Sequence, residues 1–278
     1  MALLALAHGL LGDLIEVATV DHGLRPEAAE ECALVEHVCR ARGIPCSILK
    51  VHVAEGNLQD RARAARYAAL GEWARERNLA AIATAHHADD QAETLLMRLN
   101  RGSGLAGLAG IRSQALIEGC PVPIVRPLLE FRKSELLAIV EALGLPFVED
   151  PSNRDASFDR VRIRQELARA DWIDPLALSR SAAHLEEAER TLQGIADELW
   201  EHGASVAEAR VEVPLARWSE ISSRLVARAI AALGGSVAAG EVVAFLKTLE
   251  KRGNLAGILV ERRQDSYVCT PEPPRRNG

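Results

Sequence analysis

The stretch from residue 84 to residue 110 holds the side chains whose types and spacing are best suited to chemistry. Two histidines and three acids fall close together in it: His86, His87, Asp89, Asp90 and Glu93. They directly follow an apolar run, residues 79–85, which predicts a buried strand. In an open α/β sheet, ligands bind beyond the carboxyl ends of the strands, so this position predicts a functional site.

Asp90 and Glu93 admit two interpretations, and the residues alone leave both open. As an acid-type capping box at a helix N-terminus, they complement the helix dipole and are structural. As neighbours on one helix face, with Asp89 beside them, they form a cluster of oxygen ligands for Mg²⁺ or for a substrate ammonium. The segment therefore predicts a cation-binding pocket, in which Asp89 and Asp90 are the candidate metal ligands.

Other candidate residues lie at a strand end and on a helix face. Asp21 and His22 follow a predicted strand, residues 14–20, where either a turn or a ligand contact is expected. Arg63 and Arg66 share one face of a predicted helix, which is typical of a solvated surface but also suits phosphate contacts.

A run of alternating arginines lies further along the chain, at Arg160, Arg162 and Arg164. The rigid guanidinium fork suits phosphate, although exposed arginines on a helix are often only solvated. Despite the net charge of −6, we expect these three residues, with arginines of the C-terminal helices, to form a basic surface suited to phosphate groups.

Composition sets broad limits on the class of protein. The 278 residues are enough for one large or two smaller domains, and an apolar fraction of 48% is ordinary for a globular chain. No apolar run approaches membrane-spanning length, and we expect no membrane association. The five cysteines include no C-x-x-C pair, which favours buried free thiols in a reducing, cytoplasmic compartment.

The order of predicted elements indicates an α/β fold. Strands alternate with long helices in the first part of the chain, which predicts a doubly wound, Rossmann-like parallel sheet. Helices dominate later, with a short extended piece at residues 211–213 and a hairpin at residues 255–268. We predict a catalytic domain over residues 1–170, a smaller, mainly helical substrate-binding domain over 171–270, and a flexible tail over 271–278.

Residues 86–94 and the glycine-rich loop at residues 101–110 together resemble the core motifs of the tRNA(Ile)-lysidine synthases. These enzymes belong to the PP-loop ATP pyrophosphatase superfamily. Three further segments extend the resemblance: residues 20–25, 62–67 and 148–164.

The resemblance implies an ATP-dependent ligation. ATP would activate the wobble cytidine of a tRNA(Ile) with a CAU anticodon as an adenylate, and free L-lysine would displace AMP to form lysidine. The implied cofactors are ATP and Mg²⁺, and no protein partner is implied. The implied catalytic residues are Asp90, Glu93, Arg160 and Arg164. The implied nucleotide-binding residues are Asp21, His22, Arg63, Arg66, His86, Gly102 and Gly104.

The sequence departs from the family pattern at two places. Val161 stands where the family usually has asparagine, so that polar contact does not carry over. The family's first strand and its S-G-G-x-D-S phosphate loop are not found before the first helix, residues 1–8. We expect the chain that begins at Met1 to show no measurable ligation, and a version extended upstream by that strand and loop to be active. Without the strand, two inner strands should keep unpaired edges.

Two alternatives to a lysidine synthase remain. A degenerate, non-catalytic tRNA-binding protein is favoured by the missing loop. A tRNA thiolase of the same superfamily normally needs paired cysteines, which this sequence does not have.

Overall fold

The computed structural model describes residues 1–23, 26–51, 58–148 and 159–272. The chain divides into two compact units, Met1–Leu185 and Glu186–Gly278. The sequence placed this boundary at residue 170, whereas the structure places it inside a continuous helix, Pro175–Gly203. An unbroken helical periodicity gives no sequence signal at such a point.

The first unit alternates helices and strands, with a short 3₁₀ turn at Gly12–Leu14 after its first helix. In chain order its elements are α1 (Ala2–Leu11), β1 (Val17–Asp21), α2 (Pro26–Ala41), β2 (Cys46–Lys50), α3 (Leu58–Glu76), β3 (Ile82–Ala83), α4 (Ala88–Asn100), α5 (Leu105–Leu108), β4 (Gln114–Ile117), β5 (Cys120–Val125), α6 (Lys133–Ala142), α7 (Asp159–Arg169) and the start of α8 (Pro175–Gly203).

Parallel pairing confirms the predicted α/β class. β1 pairs with β2 and β3 pairs with β5, both in parallel, while β4 adds to β5 as an antiparallel edge. Within the described ranges, β1 and β3 each have a single hydrogen-bonded neighbour.

Helix α3 packs the two parallel pairs into one apolar cluster. Its buried face, which includes Tyr67, Leu70 and Trp73, contacts Ile82 of β3 and Ile124 of β5. Residues of β1 and β2 pack against the same cluster. Each large side chain buried in this way stabilises the fold by about 1.5–3 kcal/mol, so α3 fixes the strands although they are not all hydrogen-bonded together.

The second unit contains the rest of α8, two further helices and a five-stranded antiparallel sheet. These elements are β6 (Ser205–Ala207), β7 (Arg210–Pro214), α9 (Ser219–Ala232), α10 (Ala239–Thr248), β8 (Arg252–Leu255), β9 (Ile258–Arg262) and β10 (Ser266–Pro271), with the strands in the order β6-β7-β10-β9-β8. The sheet is larger than the short piece and hairpin that the sequence predicted. β10 extends to Pro271, so the first residue of the expected tail belongs to the sheet, and residues 273–278 of that prediction lie outside the described part of the chain.

The cysteines behave as the composition predicted. All five are unpaired: Cys46 is half-buried, and the others are buried, namely Cys32, Cys39, Cys120 and Cys269. Burial raises the pKa of the Cys46 thiol to about 12, so this group stays protonated at neutral pH. Across the described ranges, no helix combines the length and apolar character that a membrane crossing needs.

Candidate active site

The capping box at the start of α4 uses a different pair of residues from the one expected. The N-cap is His87, whose Nδ1 accepts the Asp90 N–H at 3.4 Å, while Asp90 Oδ2 accepts the His87 N–H at 3.1 Å. The sequence interpretation paired Asp90 with Glu93 as the box, and this pairing is corrected. Glu93 takes no part in the helix cap, so the position of its carboxylate needs another explanation.

Two arginines of α7 enclose the carboxylate of Glu93. Arg160 Nε donates to Glu93 Oε2 at 2.6 Å, and Arg164 Nε donates to Oε1 at 2.6 Å, with Arg164 Nη2 also reaching Oε2 at 3.2 Å. Glu93 is only 2% exposed. Its hydrogen bonds raise the pKa of Arg164 further above its usual value. A buried carboxylate in such a double fork is held rigidly, because charge-assisted bonds of this geometry are strong.

Asp90 joins the same cluster from the more open side. Arg160 Nη2 donates to Asp90 Oδ1 at 2.8 Å, so one guanidinium bridges both acids. The Asp90 side chain is 17% exposed, against 3% for Glu93. Arg162 lies apart from this cluster and pairs with Asp159. Arg160 and Arg164 are four residues apart and therefore share one face of α7, whereas Arg162 lies on another face.

The two aspartates that the sequence offered as magnesium ligands are already committed to other partners. Asp89 Oδ2 accepts the Lys133 N–H at 2.7 Å, and both oxygens of Asp90 accept hydrogen bonds. Burial raises the pKa of Asp89, but bonds from His87 and from the Lys133 backbone outweigh it and leave the pKa below its usual value. In the part of the chain that the structure describes, no group of three or more His, Cys, Asp or Glu is arranged to hold a metal. The assignment of Mg²⁺ to Asp89 and Asp90 stays a prediction.

The glycine-rich loop is tied to α4 by Gln91, a residue that the sequence analysis did not single out. Gln91 Nε2 donates to the Ile111 carbonyl at 3.0 Å, and Gln91 Oε1 accepts the Ile111 N–H at 2.6 Å. Gly110 lies against the Gln91 amide with φ of +64°. A side chain there would collide with the amide, which explains why glycine is needed. Gly102 also has a positive φ, and Gly104 is the N-cap of α5.

His86 lies at the start of this segment in a half-buried, uncharged state. Its Nδ1 is 3.0 Å from the Thr84 hydroxyl. Burial lowers the pKa of His86 from 6.5 to about 4, and the carboxylate of Asp90 opposes this shift. Three arginines reinforce the shift, namely Arg126, Arg63 and Arg160. His86 is thus neutral at physiological pH and beside the acid cluster.

Asp21 and His22 form a second polar group, at the carboxyl end of β1. Asp21 Oδ1 accepts the Gly23 N–H at 2.9 Å, as expected of an Asx-type turn. Burial lowers the pKa of His22, and the charge of Arg66 adds to this effect. Arg63 stacks over the Tyr67 ring at 5.0 Å. The structure thus brings Asp21, His22 and Arg66 together.

The chain matches a family model described as a PP-loop domain over residues 1–171. A tRNA(Ile)-lysidine synthase of Novosphingobium aromaticivorans is 44% identical over 267 residues, covering 94% of this chain and 82% of that protein. One of Zymomonas mobilis is 40% identical over 292 residues, covering 100% of this chain and 87% of that protein. Among solved structures, the U34-tRNA thiolase NcsA of Methanococcus maripaludis gives a TM-score of 0.49 at 18% identity, covering 62% of this chain and 61% of that chain.

The strand-end acid cluster, the glycine-rich loop and the match over residues 1–171 define a PP-loop ATP-binding domain. The relatives align over most of both chains, and they identify the family within this class. The chain belongs to the tRNA(Ile)-lysidine synthase family.

Proposed function

We propose that this chain catalyses the ATP-dependent formation of lysidine at the wobble cytidine of a tRNA(Ile) with a CAU anticodon. The proposal assigns free L-lysine as the donor and the cytoplasm as the compartment. Family membership supports it. The observation that carries it in this chain is the pair of carboxylates, Asp90 and Glu93, fixed by Arg160 and Arg164 just after β3.

The lysine ammonium is assigned to Asp90, and Glu93 is assigned a positioning role. A lysine ammonium carries the same charge as a guanidinium, so it competes for the same carboxylates. Asp90 is the more exposed acid and is held by one arginine, whereas Glu93 is buried between two. Displacing Arg160 from Asp90 therefore costs less than opening the Glu93 fork.

Deprotonation of the lysine amine is also assigned to Asp90. The amine must lose its proton before it attacks, and a group within hydrogen-bond reach has to accept it. The Nδ1 of His86 already lies 3.0 Å from the Thr84 hydroxyl, so that ring nitrogen is engaged. The Asp90 carboxylate faces the ammonium in this arrangement and is the better-placed group.

ATP supplies the activation that turns the cytidine C2 oxygen into a good leaving group. For its binding we propose the residues indicated by the family resemblance: Asp21, His22, Arg63, Arg66, His86, Gly102 and Gly104. Half-buried, neutral imidazoles such as His22 and His86 can donate hydrogen bonds to a base or accept them without adding charge. Mg²⁺ is expected from the resemblance, with Asp89 and Asp90 as its proposed ligands.

A cationic cavity supports a tRNA-binding role for the second unit. It has a volume of about 450 Å³ and is lined by Arg217, Lys247 and Arg262 beside apolar residues such as Leu246. No acid is among the described residues that line this cavity. Basic side chains gathered at one place attract phosphates whatever the net charge of the chain.

The proposal is tested by incorporation of labelled lysine into a tRNA(Ile) transcript with a CAU anticodon. The assay uses the chain extended upstream by the family's strand and phosphate loop, because the resemblance assigns binding of the ATP phosphates to that loop. Asp90→Asn should abolish most of the incorporation, and a transcript with a GAU anticodon should accept no lysine. Binding of the transcript without any lysine transfer would instead favour the non-catalytic tRNA-binding protein.

A further inference from the structure

Arg126 is a buried cation that none of the assignments above uses. It is 6% exposed and directly follows β5. Its Nη1 donates to the Arg112 carbonyl at 2.6 Å, but its buried Nε–H has no hydrogen-bond partner among the described residues. Within the same ranges, no carboxylate pairs with it. A buried charge without a counter-charge is costly, because both desolvation and the unused donors oppose folding.

The position of Arg126 places it at the candidate active site. β3 and β5 are parallel with Ala83 level with Val125, and the Thr84 N–H donates to the Val125 carbonyl at 3.0 Å. Arg126 is therefore the neighbour of Thr84 at the carboxyl ends of the two strands. Thr84 in turn contacts His86 at 3.0 Å.

Support of the neighbouring loop explains only part of this arrangement. One hydrogen bond to a neutral carbonyl holds the loop after Gly110, and a neutral side chain could do the same. Such a bond does not neutralise a guanidinium. The exposed cations Arg63 and Arg66 differ in this respect, because water compensates their charge.

The lysine substrate supplies the missing counter-charge. It carries two ammonium groups and one carboxylate, so its site needs a cation that is not already neutralised. Arg160 and Arg164 are both paired with acids. Arg126 is the buried arginine at this site that has no acid partner in the described ranges.

We propose that Arg126 binds the α-carboxylate of free lysine and so selects an amino acid over a simple amine. This inference rests on the proposed function, since it assigns lysine as the substrate. The fork geometry of the guanidinium favours a bidentate pair with a carboxylate. A substrate carboxylate then accepts a hydrogen bond from the Nε–H, which has no partner among the described residues.

The test measures binding of lysine, lysinamide and ATP by calorimetry to the same upstream-extended protein and to its variants. Lysinamide replaces the carboxylate with a neutral amide and keeps both amines. We expect the chain to bind lysine at least tenfold more tightly than lysinamide. Arg126→Gln should reduce lysine affinity to that of lysinamide and leave ATP affinity unchanged. Arg126→Lys, which keeps the charge, should retain part of the discrimination and also covers the case that the glutamine variant does not fold.

Arg112→Gln is the matched control, because it removes a neighbouring guanidinium that donates to the Ala106 carbonyl. It should leave the preference for lysine intact. An unchanged preference in both Arg126 variants overturns the inference, as does a loss of ATP affinity without a loss of lysine affinity. Failure of the unchanged chain to bind lysine at all would instead count against the proposed function.

Discussion

Each unit of this chain contains a buried glutamate held by arginine, and the two clusters differ in what surrounds them. In the first unit, Glu93 lies on α4, the helix that follows β3, between Arg160 and Arg164. In the second, Glu189 of α8 receives both Nη1 and Nη2 of Arg224, at 2.8 and 2.6 Å.

The second cluster satisfies its arginine within two helices. Arg224 also bonds Glu220 and Gln193, so its donors are used inside the unit. The first cluster adjoins an uncharged histidine and Arg126, which has no acid partner in the described ranges. Ion pairing alone is therefore a weak sign of function. Polar groups left unmatched at a strand end are a better one.

The largest expected difference between the clusters is in catalysis. Glu93→Gln should lower lysine transfer by on the order of a hundredfold or more, because Arg160 and Arg164 lose the group that positions them. Glu189→Gln should leave transfer within about twofold. Labelled-lysine incorporation by the upstream-extended protein measures both variants. Equal losses would erase the distinction between the two clusters.

Stability should rank the two clusters in the opposite order. Breaking a fully buried pair typically costs about 3–5 kcal/mol, and partner exposure reduces this. Arg224 is 14% exposed, whereas Arg160 and Arg164 are 40% and 34% exposed. We expect a loss of about 2–4 kcal/mol for Glu189→Gln and about 1–2 kcal/mol for Glu93→Gln. Urea unfolding monitored by circular dichroism provides the comparison, and a larger loss for Glu93→Gln would contradict the burial argument.

The sequence predicted the location of the first cluster but not which of its residues form hydrogen bonds with each other. Helical spacing indicated that Asp90 and Glu93 share a face, and the resemblance brought in Arg160 and Arg164. The choice of His87 as the capping partner depends on backbone angles at one residue. The Gln91 clamp joins residues twenty positions apart, and such contacts leave no periodic signal.

For a similar reason, the sequence predicted only part of the sheet of the second unit. β8 and β9 are short strands, and β8 contains Gly253 and Asn254, which are residues of low strand propensity. Antiparallel neighbours supply the pairing that local propensity does not. The fold of the first unit was easier to predict, since long helices separate its apolar strands.

Acid should weaken the first cluster by a route that the second does not have. The pKa of His86 is about 4 in the folded chain, below its ordinary 6.5. Between these values the unfolded chain binds the proton and the folded chain does not. The stability that neutral His86 contributes is therefore fully present above pH 6.5. As the pH falls towards 4, the free energy of unfolding decreases by on the order of 1–3 kcal/mol.

His86→Gln provides the control for this pH dependence, because it removes the titrating group. Melting temperatures from pH 7 to pH 4 should fall less steeply in this variant than in the unchanged chain. Glu189→Gln should keep the original slope. Parallel curves for His86→Gln and the unchanged chain would show that other groups control the acid transition.

The smallest effects should come from exposed pairs, one in each unit. Arg162 and Asp159 are 63% and 54% exposed, so Arg162→Ala should change stability by about 0.5 kcal/mol or less. Arg228 pairs with Asp197 and also lies over the Trp200 ring at 4.4 Å. Arg228→Ala should therefore cost slightly more, about 1 kcal/mol, since packing on the ring is lost with the charge.

The exposure of Arg162 also makes the expectation for tRNA binding more specific. The sequence offered Arg160, Arg162 and Arg164 as three phosphate contacts, but two of them face Asp90 and Glu93. Changing all three to alanine should reduce the log–log salt slope of tRNA binding by about 0.7–0.9, the value for one contact. Filter binding across a salt series, with Arg162→Ala alone as the matched control, measures this slope. A reduction three times as large would mean that Arg160 and Arg164 leave the carboxylates when RNA binds, and the comparison between the two clusters would then describe only the unbound protein.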